Sequence, residues 1–469
     1  MKPLPRAPIR QCSMSMPVWQ ALVVIFLTFP GQLAWSRDFN VVHDFLGIEG
    51  ADPSPGLLLD GSTLYGAAGS DGAQAGTIFK LAVDGSQFTV IHQFTYDEGP
   101  NPNADFVLDD GTLYGTTAGQ GSHWYGSVFK VKTDGSHFQL LKTFTGGVDG
   151  NQPSSLVRSG TFLYGTTFSG GSSNLGTVFR IGVDGSDFAV LKHFTGSDGA
   201  IVNGGLVVSG SVLYGTTMNG GQYGNGALFR LSTNGGNFAL IKSYGAPGTL
   251  DQGTNPSGRL GVAGDTLYGT TINGPNDPGG TVFKVHRDGS GYQVLHTFTG
   301  SADGSGPSTS LVLDHDTLYG TTLLGGPADS LCPQGCGTVF KVRTDGTGFA
   351  TLRSFSGKLD GGTLLGGPLT LTENAVIGTT HAGGSVNKGV LFAISRPRYP
   401  EVIAVTSIHP GNLLAVWSGS PGTAYDVLSS NDLNVWTPLS RVTSDTNGIF
   451  SIADVIGDGT GRFFRATIP

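Results

Sequence analysis

The sequence predicts an all-β chain: a closed seven-bladed β-propeller followed by a small β-sandwich. Three observations carry this. The phrase Leu-Tyr-Gly-Thr-Thr recurs at Leu113, Leu163, Leu213, Leu267 and Leu318, with degenerate copies at Leu64 (Leu-Tyr-Gly-Ala-Ala) and Val376 (Val-Ile-Gly-Thr-Thr). Its second residues, Tyr65, Tyr114, Tyr164, Tyr214, Tyr268, Tyr319 and Ile377, are spaced by 49, 50, 50, 54, 51 and 58, and a period of about fifty belongs to propeller arrays. Gly fills 77 of 469 positions without a Gly-X-Y register, and only four Glu occur. That composition supplies turns rather than long helices.

Taken from the N-terminus, Lys2, Arg6 and Arg10 precede an apolar run from Val18 to Phe29 and then Ala34-Trp35-Ser36. Basic residues, a short apolar run and small residues in that order predict a signal peptide over residues 1–36 and a secreted or cell-surface protein. A run of about twelve is short of the roughly twenty residues that span a bilayer, and no second such stretch follows. Removing residues 1–36 leaves 23 Lys and Arg against 34 Asp and Glu, a net charge of −11. So acidic a chain is a poor partner for nucleic acid.

The propeller is expected over residues 37–397. In residues 153–195, four short β-branched or aromatic runs are separated by Gly, Asp or Ser, which gives four strands, A to D, per repeat. Asp-Gly at Asp84, Asp134, Asp184, Asp288 and Asp345, with Asn234 as a substitute, supplies the C–D hairpins. The last repeat has strands A to C but no D. Phe39-Asn-Val-Val-His-Asp-Phe45 instead matches the D strands Phe88–Phe94 and Tyr292–Phe298 without a preceding A, B or C. This displaced strand is expected to complete the seventh blade and close the ring. Cys332 and Cys336, separated by Pro-Gln-Gly, are expected to close a small disulfide ring.

After Pro400 the repeat stops. Leu413–Trp417, Tyr425–Leu428, Val435-Trp436, Ile449–Ile452 and Arg462–Arg465 form short alternating runs. Residues 398–469 are therefore read as an Ig-like or fibronectin-like sandwich, with Trp417 and Trp436 in its core.

Leu-Tyr-Gly-Thr-Thr, Gly-x-Val-Phe-Lys and Asp-Gly-Ser together make residues 39–394 resemble the tandem-repeat proteins called GloVer, in the group termed choice-of-anchor. The resemblance implies a surface-associated or secreted propeller-like protein and brings no catalytic residue with it. Ala67-Ala68 in the first repeat and Ile377 in the last depart from the pattern.

The C–D and A–B hairpins are short and the B–C loops long, so function is expected on the face bearing the B–C and D–A loops. Ligand-binding candidates there are His123, Trp124, Tyr125, Tyr223 and His381, which break the repeat. An acidic rim follows strand D: Glu49, Glu98, Asp149, Asp198, Asp251, Asp303 and Asp360. Oxygen ligands on a rim can draw Ca²⁺, but one acid per blade builds no cage, and turn chemistry is the expected role. Basic residues recur on strand C (Lys80, Lys130, Arg180, Arg230, Lys284, Lys341) and on strand D (His43, His92, Lys142, Lys192, Lys242, His296, Arg353), where they are expected to keep an outer edge from pairing. No Gly-x-Ser-x-Gly, His-Glu-x-x-His or phosphate loop occurs. The reading is a non-enzymatic monomer that binds a polysaccharide or an extracellular protein, with no cofactor or resident metal. The alternative is an exported glycosidase or lyase using acids such as Asp97, Glu98 and Asp105 on the same face.

Overall fold

The computed structural model describes residues 39–70, 75–119, 125–248, 252–274, 279–300, 302–328, 332–362, 364, 367–396, 401–409, 412–430, 437–455 and 463–467. Residues 1–36, His123, Trp124, Asp251 and Trp436, on which expectations above rest, lie outside these ranges. Among the described residues there is no α-helix, and every sheet is antiparallel.

Seven sheets follow the repeats. In blade 3, strand A is Asn151–Ser159, B Phe162–Ser169, C Thr177–Gly182 and D Ala189–His193, paired in that order. The seventh sheet joins both ends of the array. Phe39–Asp44 pairs with Val390–Ser395, Phe39 facing Ile394 and Asp44 facing Val390, and so supplies the missing D strand. Core clusters straddle neighbouring blades, and the one holding Phe45, Ile377 and Leu391 with Leu57, Leu64 and Phe79 joins blade 7 to blade 1. The ring is thereby closed in its apolar core.

The repeated phrase builds this core. In strand B its Leu and Tyr are buried, and its Gly faces the Phe of Gly-x-Val-Phe across the ladder, as Gly320 faces Phe340. A Cβ on Gly320 would stand 2.6 Å from Phe340 Cζ and 2.9 Å from Leu311 Cδ2. The Gly is thus required within one blade, by the ring lying over it, rather than by close approach of two blades. The first Thr hydroxyl reaches the next blade: Thr116 Oγ1 donates to Ser154 O at 2.5 Å, and Thr379 of blade 7 donates to Ser54 O of blade 1 at 3.2 Å. The second accepts the N–H of the facing residue in strand C, as Thr167 Oγ1 does from Thr177 at 3.1 Å. At the C–D hairpins Gly85 has φ of 86°, while Asp84 accepts the Ser86 N–H at 2.9 Å.

The C-terminal strands make two three-stranded sheets. Glu401–His409, Asn412–Ser418 and Ile449–Val455 form one; Thr437–Thr443, Ala424–Ser430 and Phe463–Thr467 form the other. Residues from both meet in a single cluster in which Phe450 stacks on Trp417 and on Tyr425, with ring centroids 5.5 and 4.7 Å apart.

Candidate functional site

Blade junctions carry two rings of polar and aromatic contacts, one at the outer belt and one, the mouth, on the face that bears the D–A and B–C loops. The outer belt is nearly uniform. Each strand-D base lies on the aromatic that opens strand D of the following blade. His43 stacks on Phe88 (4.0 Å between centroids), His92 on Phe138 (3.9 Å) and His296 on Phe349 (3.5 Å). Lys142, Lys192 and Lys242 lie over Phe188, Phe238 and Tyr292 at 4.8, 4.6 and 4.1 Å, and Arg353 closes the circle over Phe39 at 4.2 Å. A cation over an aromatic face is held by the ring quadrupole once water is excluded from one side.

The acidic rim belongs to the same device. Lys142 meets Asp149 and Arg353 meets Asp360, both at 2.7 Å; Lys192 pairs with Asp198; His43, His92 and His296 stand 3.4, 3.4 and 3.3 Å from Glu49, Glu98 and Asp303. Lys242 donates to Gln252 Oε1 at 2.7 Å. Each described rim acid also accepts a backbone N–H in its own turn, for example Leu46 to Glu49 and Thr195 to Asp198 at 2.9 and 2.8 Å. The strand-D bases therefore turn inward to clamp the neighbouring blade instead of guarding a free edge. For Asp149 and Asp198, burial alone would raise the carboxyl pKa, but bonds from the paired Lys and the nearby Thr outweigh it and hold the pKa below its ordinary value. The three His sit below the ordinary imidazole value, because burial disfavours the charged ring more than the facing carboxylate favours it.

On strand C the bases serve different neighbours. Lys80 and Lys284 donate to Thr133 O and Thr344 O at 3.0 Å, and Arg180 lies over Phe162 at 4.9 Å. Among the described residues no three His, Cys, Asp or Glu side chains gather as a metal would require. Cys332 and Cys336 are bonded, with their Cα atoms 5.3 Å apart.

The mouth is built differently. In six D–A loops the second residue after the recurring Gly adopts the left-handed conformation: Asp52, Asn101, Gln152, Ile201, Asn255 and Gly306, with φ of 51°, 57°, 56°, 58°, 57° and 62°. Its N–H donates to the B–C loop of the preceding blade, as Asp52 to Lys388 O (2.9 Å), Asn101 to Ala75 O (2.8 Å) and Ile201 to Leu175 O (3.0 Å). Asp, Asn, Gln and Gly tolerate this conformation; a β-branched side chain is strained in it. Ile201 is that exception.

Across each junction stands the residue that follows Thr-Thr in strand B: Gly69, Ala118, Phe168, Met218, Ile272, Leu323 and His381. Asn101 Oδ1 lies over Gly69 and accepts the Ser70 N–H at 3.0 Å, Asn255 Nδ2 donates to Met218 O at 3.0 Å, and Asp52 stands 3.8 Å from His381 Nε2. The same position is Phe, Met, Ile and Leu on four consecutive blades, all half-buried. Phe168 and Ile201 share the junction of blades 3 and 4. At the position after Thr-Thr the mouth thus has an apolar arc, with Asn255 bonded to Met218 within it, opposite the junctions that carry Asp52 with His381 and Asn101 with Gly69.

Beneath it the axis is filled. The residues preceding the strand-A Leu or Phe are Gly56, Asp105, Ser155, Gly205, Arg259, Ser310 and Pro368, and Arg259 of blade 5 pairs with Asp105 of blade 2 across the ring. A Cβ on Gly205 would collide with Ser155 Oγ and lie 3.3 Å from Arg259 Nε, so this Gly makes room for the crossing. A cavity beside Gly56, Pro368 and Thr379 holds about 10 Å³, space for one water.

Of the described ligand-binding candidates read from the sequence, His381 alone is placed in the mouth. Tyr125 is exposed with its ring against Gly146 in the adjacent D–A loop, and Tyr223 is exposed at a loop tip. The Phe168–Met218–Ile272–Leu323 arc escaped the sequence reading, although the variable position after each Thr-Thr was its signal.

The repeats that carry these junction residues match a known family. The family model described as Gloeobacter/Verrucomicrobia repeat matches residues 32–171 and 157–332, more than half of the chain. The chain belongs to this family. No curated protein matches it. The repeat protein is similar to solved structures titled oligogalacturonate lyase in complex with manganese (12% identity, TM-score 0.47, 76% of this chain and 96% of that one) and puromycin hydrolase (11%, TM-score 0.48, 82% and 62%). A nidogen/laminin complex is also similar (17%, TM-score 0.38, 54% and 82%). At such scores these likenesses carry no inference about chemistry.

Proposed function

We propose that this repeat protein is an exported, non-enzymatic binder of polysaccharide, with the glycan held at the mouth between the apolar and polar arcs. The single observation that carries this reading is the break in repeat symmetry there: Phe168, Met218, Ile272 and Leu323 on one side, Asp52, Asn101 and His381 on the other. A pyranose presents the matching pair of surfaces, an apolar C–H face for Phe168 and hydroxyl edges for the polar arc. A binder is favoured over a glycosidase or lyase because Asp105 is held by Arg259 and the described rim acids by their own bases, so none is poised beside a second free carboxylate. Export rests on the composition of residues 1–36, and the C-terminal sheets serve as an Ig-like or fibronectin-like spacer or attachment module, consistent with a choice-of-anchor protein. The test is a glycan array probed with residues 37–469 and with Phe168→Ala. The expected result is binding to a polysaccharide that falls at least about tenfold in the variant, the loss of one stacked ring, at unchanged thermal midpoint. Equal binding by the variant, or no glycan bound by either, would reject the reading.

A further inference from the structure

The two positions that shape the mouth carry almost no charge. The left-handed residues and the residues that follow Thr-Thr include a single acid, Asp52, and no Lys or Arg on any blade. Asp52 faces His381 at 3.8 Å, and both side chains are more than a third exposed. Bases flanking this ring are engaged elsewhere. Lys142 and Arg353 sit in the outer belt on Asp149 and Asp360, and Arg259 is held by Asp105 beneath the mouth. The carbonyl of Lys388 accepts the Asp52 N–H, but its side chain runs to the rim, where Cε would lie 3.8 Å from a Cβ on Gly47.

Two amides on the same left-handed backbone are used in opposite ways. Asn255 uses both ends inside the chain: Nδ2 donates to Met218 O and Asn219 Oδ1 at 3.0 and 3.2 Å, and Oδ1 accepts from Asn273 Nδ2 at 3.0 Å. Asn101 accepts the Ser70 N–H through Oδ1 at 3.0 Å, which orients its Nδ2 as the end left to donate.

We infer that the mouth selects an uncharged glycan by its hydroxyls, with Asp52 as the specificity-determining residue. This selectivity rests on the polysaccharide reading above. A carboxylate accepts O–H donors from two neighbouring hydroxyls of one sugar, and an amide Nδ2 donates to a hydroxyl or ring oxygen. Uronic acids and sulfate esters are instead held by Arg or Lys. In the mouth they would meet Asp52 with no cation to offset their lost hydration. A polycationic chain would need a row of acids, and Asp52 is the one acid of the ring.

The test is titration of residues 37–469 with neutral glucan and mannan oligosaccharides, oligogalacturonate, heparin oligosaccharides and chitosan oligosaccharides at about 50 and about 500 mM NaCl, beside Asp52→Asn. Asn holds the same backbone at Asn101 and Asn255, so the variant is expected to keep the wild-type thermal midpoint. The expected result is a neutral oligosaccharide bound equally at both salt concentrations, and at least about tenfold more weakly by the variant as hydrogen bonds to a charged acceptor are lost. Preferred binding of an anionic or cationic glycan, or affinity that falls with salt, would overturn the proposal. If Phe168→Ala weakened that binding too, the polysaccharide reading would stand without it. Full binding by Asp52→Asn would also overturn it, and a wild-type chain that binds none of these glycans would remove both.

Discussion

The outer belt and the mouth are both made at the blade junctions, yet they follow opposite rules. At the belt, seven bases of three kinds make the same contact seven times, from His43 on Phe88 round to Arg353 on Phe39. At the mouth, a backbone conformation as regular as the belt carries side chains that change from Asp52 to Ile201 and from Gly69 to Phe168. Where every junction needs the same thing, the repeat holds a ring together. Where the backbone is fixed but side chains diverge, the junctions differ in the chemistry they present, and the proposed glycan site rests on that difference.

The comparison can be broken first on its uniform side. Gly320→Ala would drive a methyl against Phe340 and Leu311 and is expected to destabilise by about 1–3 kcal/mol in urea unfolding, with ligand affinity of the folded fraction unchanged. A smaller effect separates belt junctions from one another. His43, His92 and His296 have depressed pKa values, so the unfolded chain, titrating at 6.5, takes up protons before the folded one. Stability present above pH 6.5 is lost as pH falls through and below it. The thermal midpoint should drop by a few degrees from about pH 7 to pH 5, and His43→Lys, His92→Lys, His296→Lys should flatten that slope.

Much of this was legible in the sequence. The period of the phrase set the blade count, and the orphan Phe39–Phe45 set the closure, because strand pairing repeats the same pattern wherever it occurs. The belt was legible only in pieces. His43 and Phe88 lie 45 residues apart, and nothing in a one-dimensional repeat says that the base of one unit lies on the ring of the next. The rim acids and strand-D bases were accordingly read as two features instead of one. The mouth was hidden for another reason: Phe168 and Ile201 look like ordinary strand-end and loop apolar residues until the left-handed backbone at Ile201 and the junction between their blades are known. Trp124 and His123, which drew attention by breaking the pattern, lie outside the described residues.

Ile201→Asn tests the central claim most directly, because it restores at one junction what Asn101 and Asn255 supply at others. Urea unfolding and glycan titration of the same variant should move in opposite directions: stability rises by about 1 kcal/mol as left-handed strain is relieved, while binding weakens as Phe168 loses its apolar neighbour across the junction. Unchanged or lower stability, or full binding, would mean that Ile201 is an incidental departure and that the mouth is not where this protein meets its ligand.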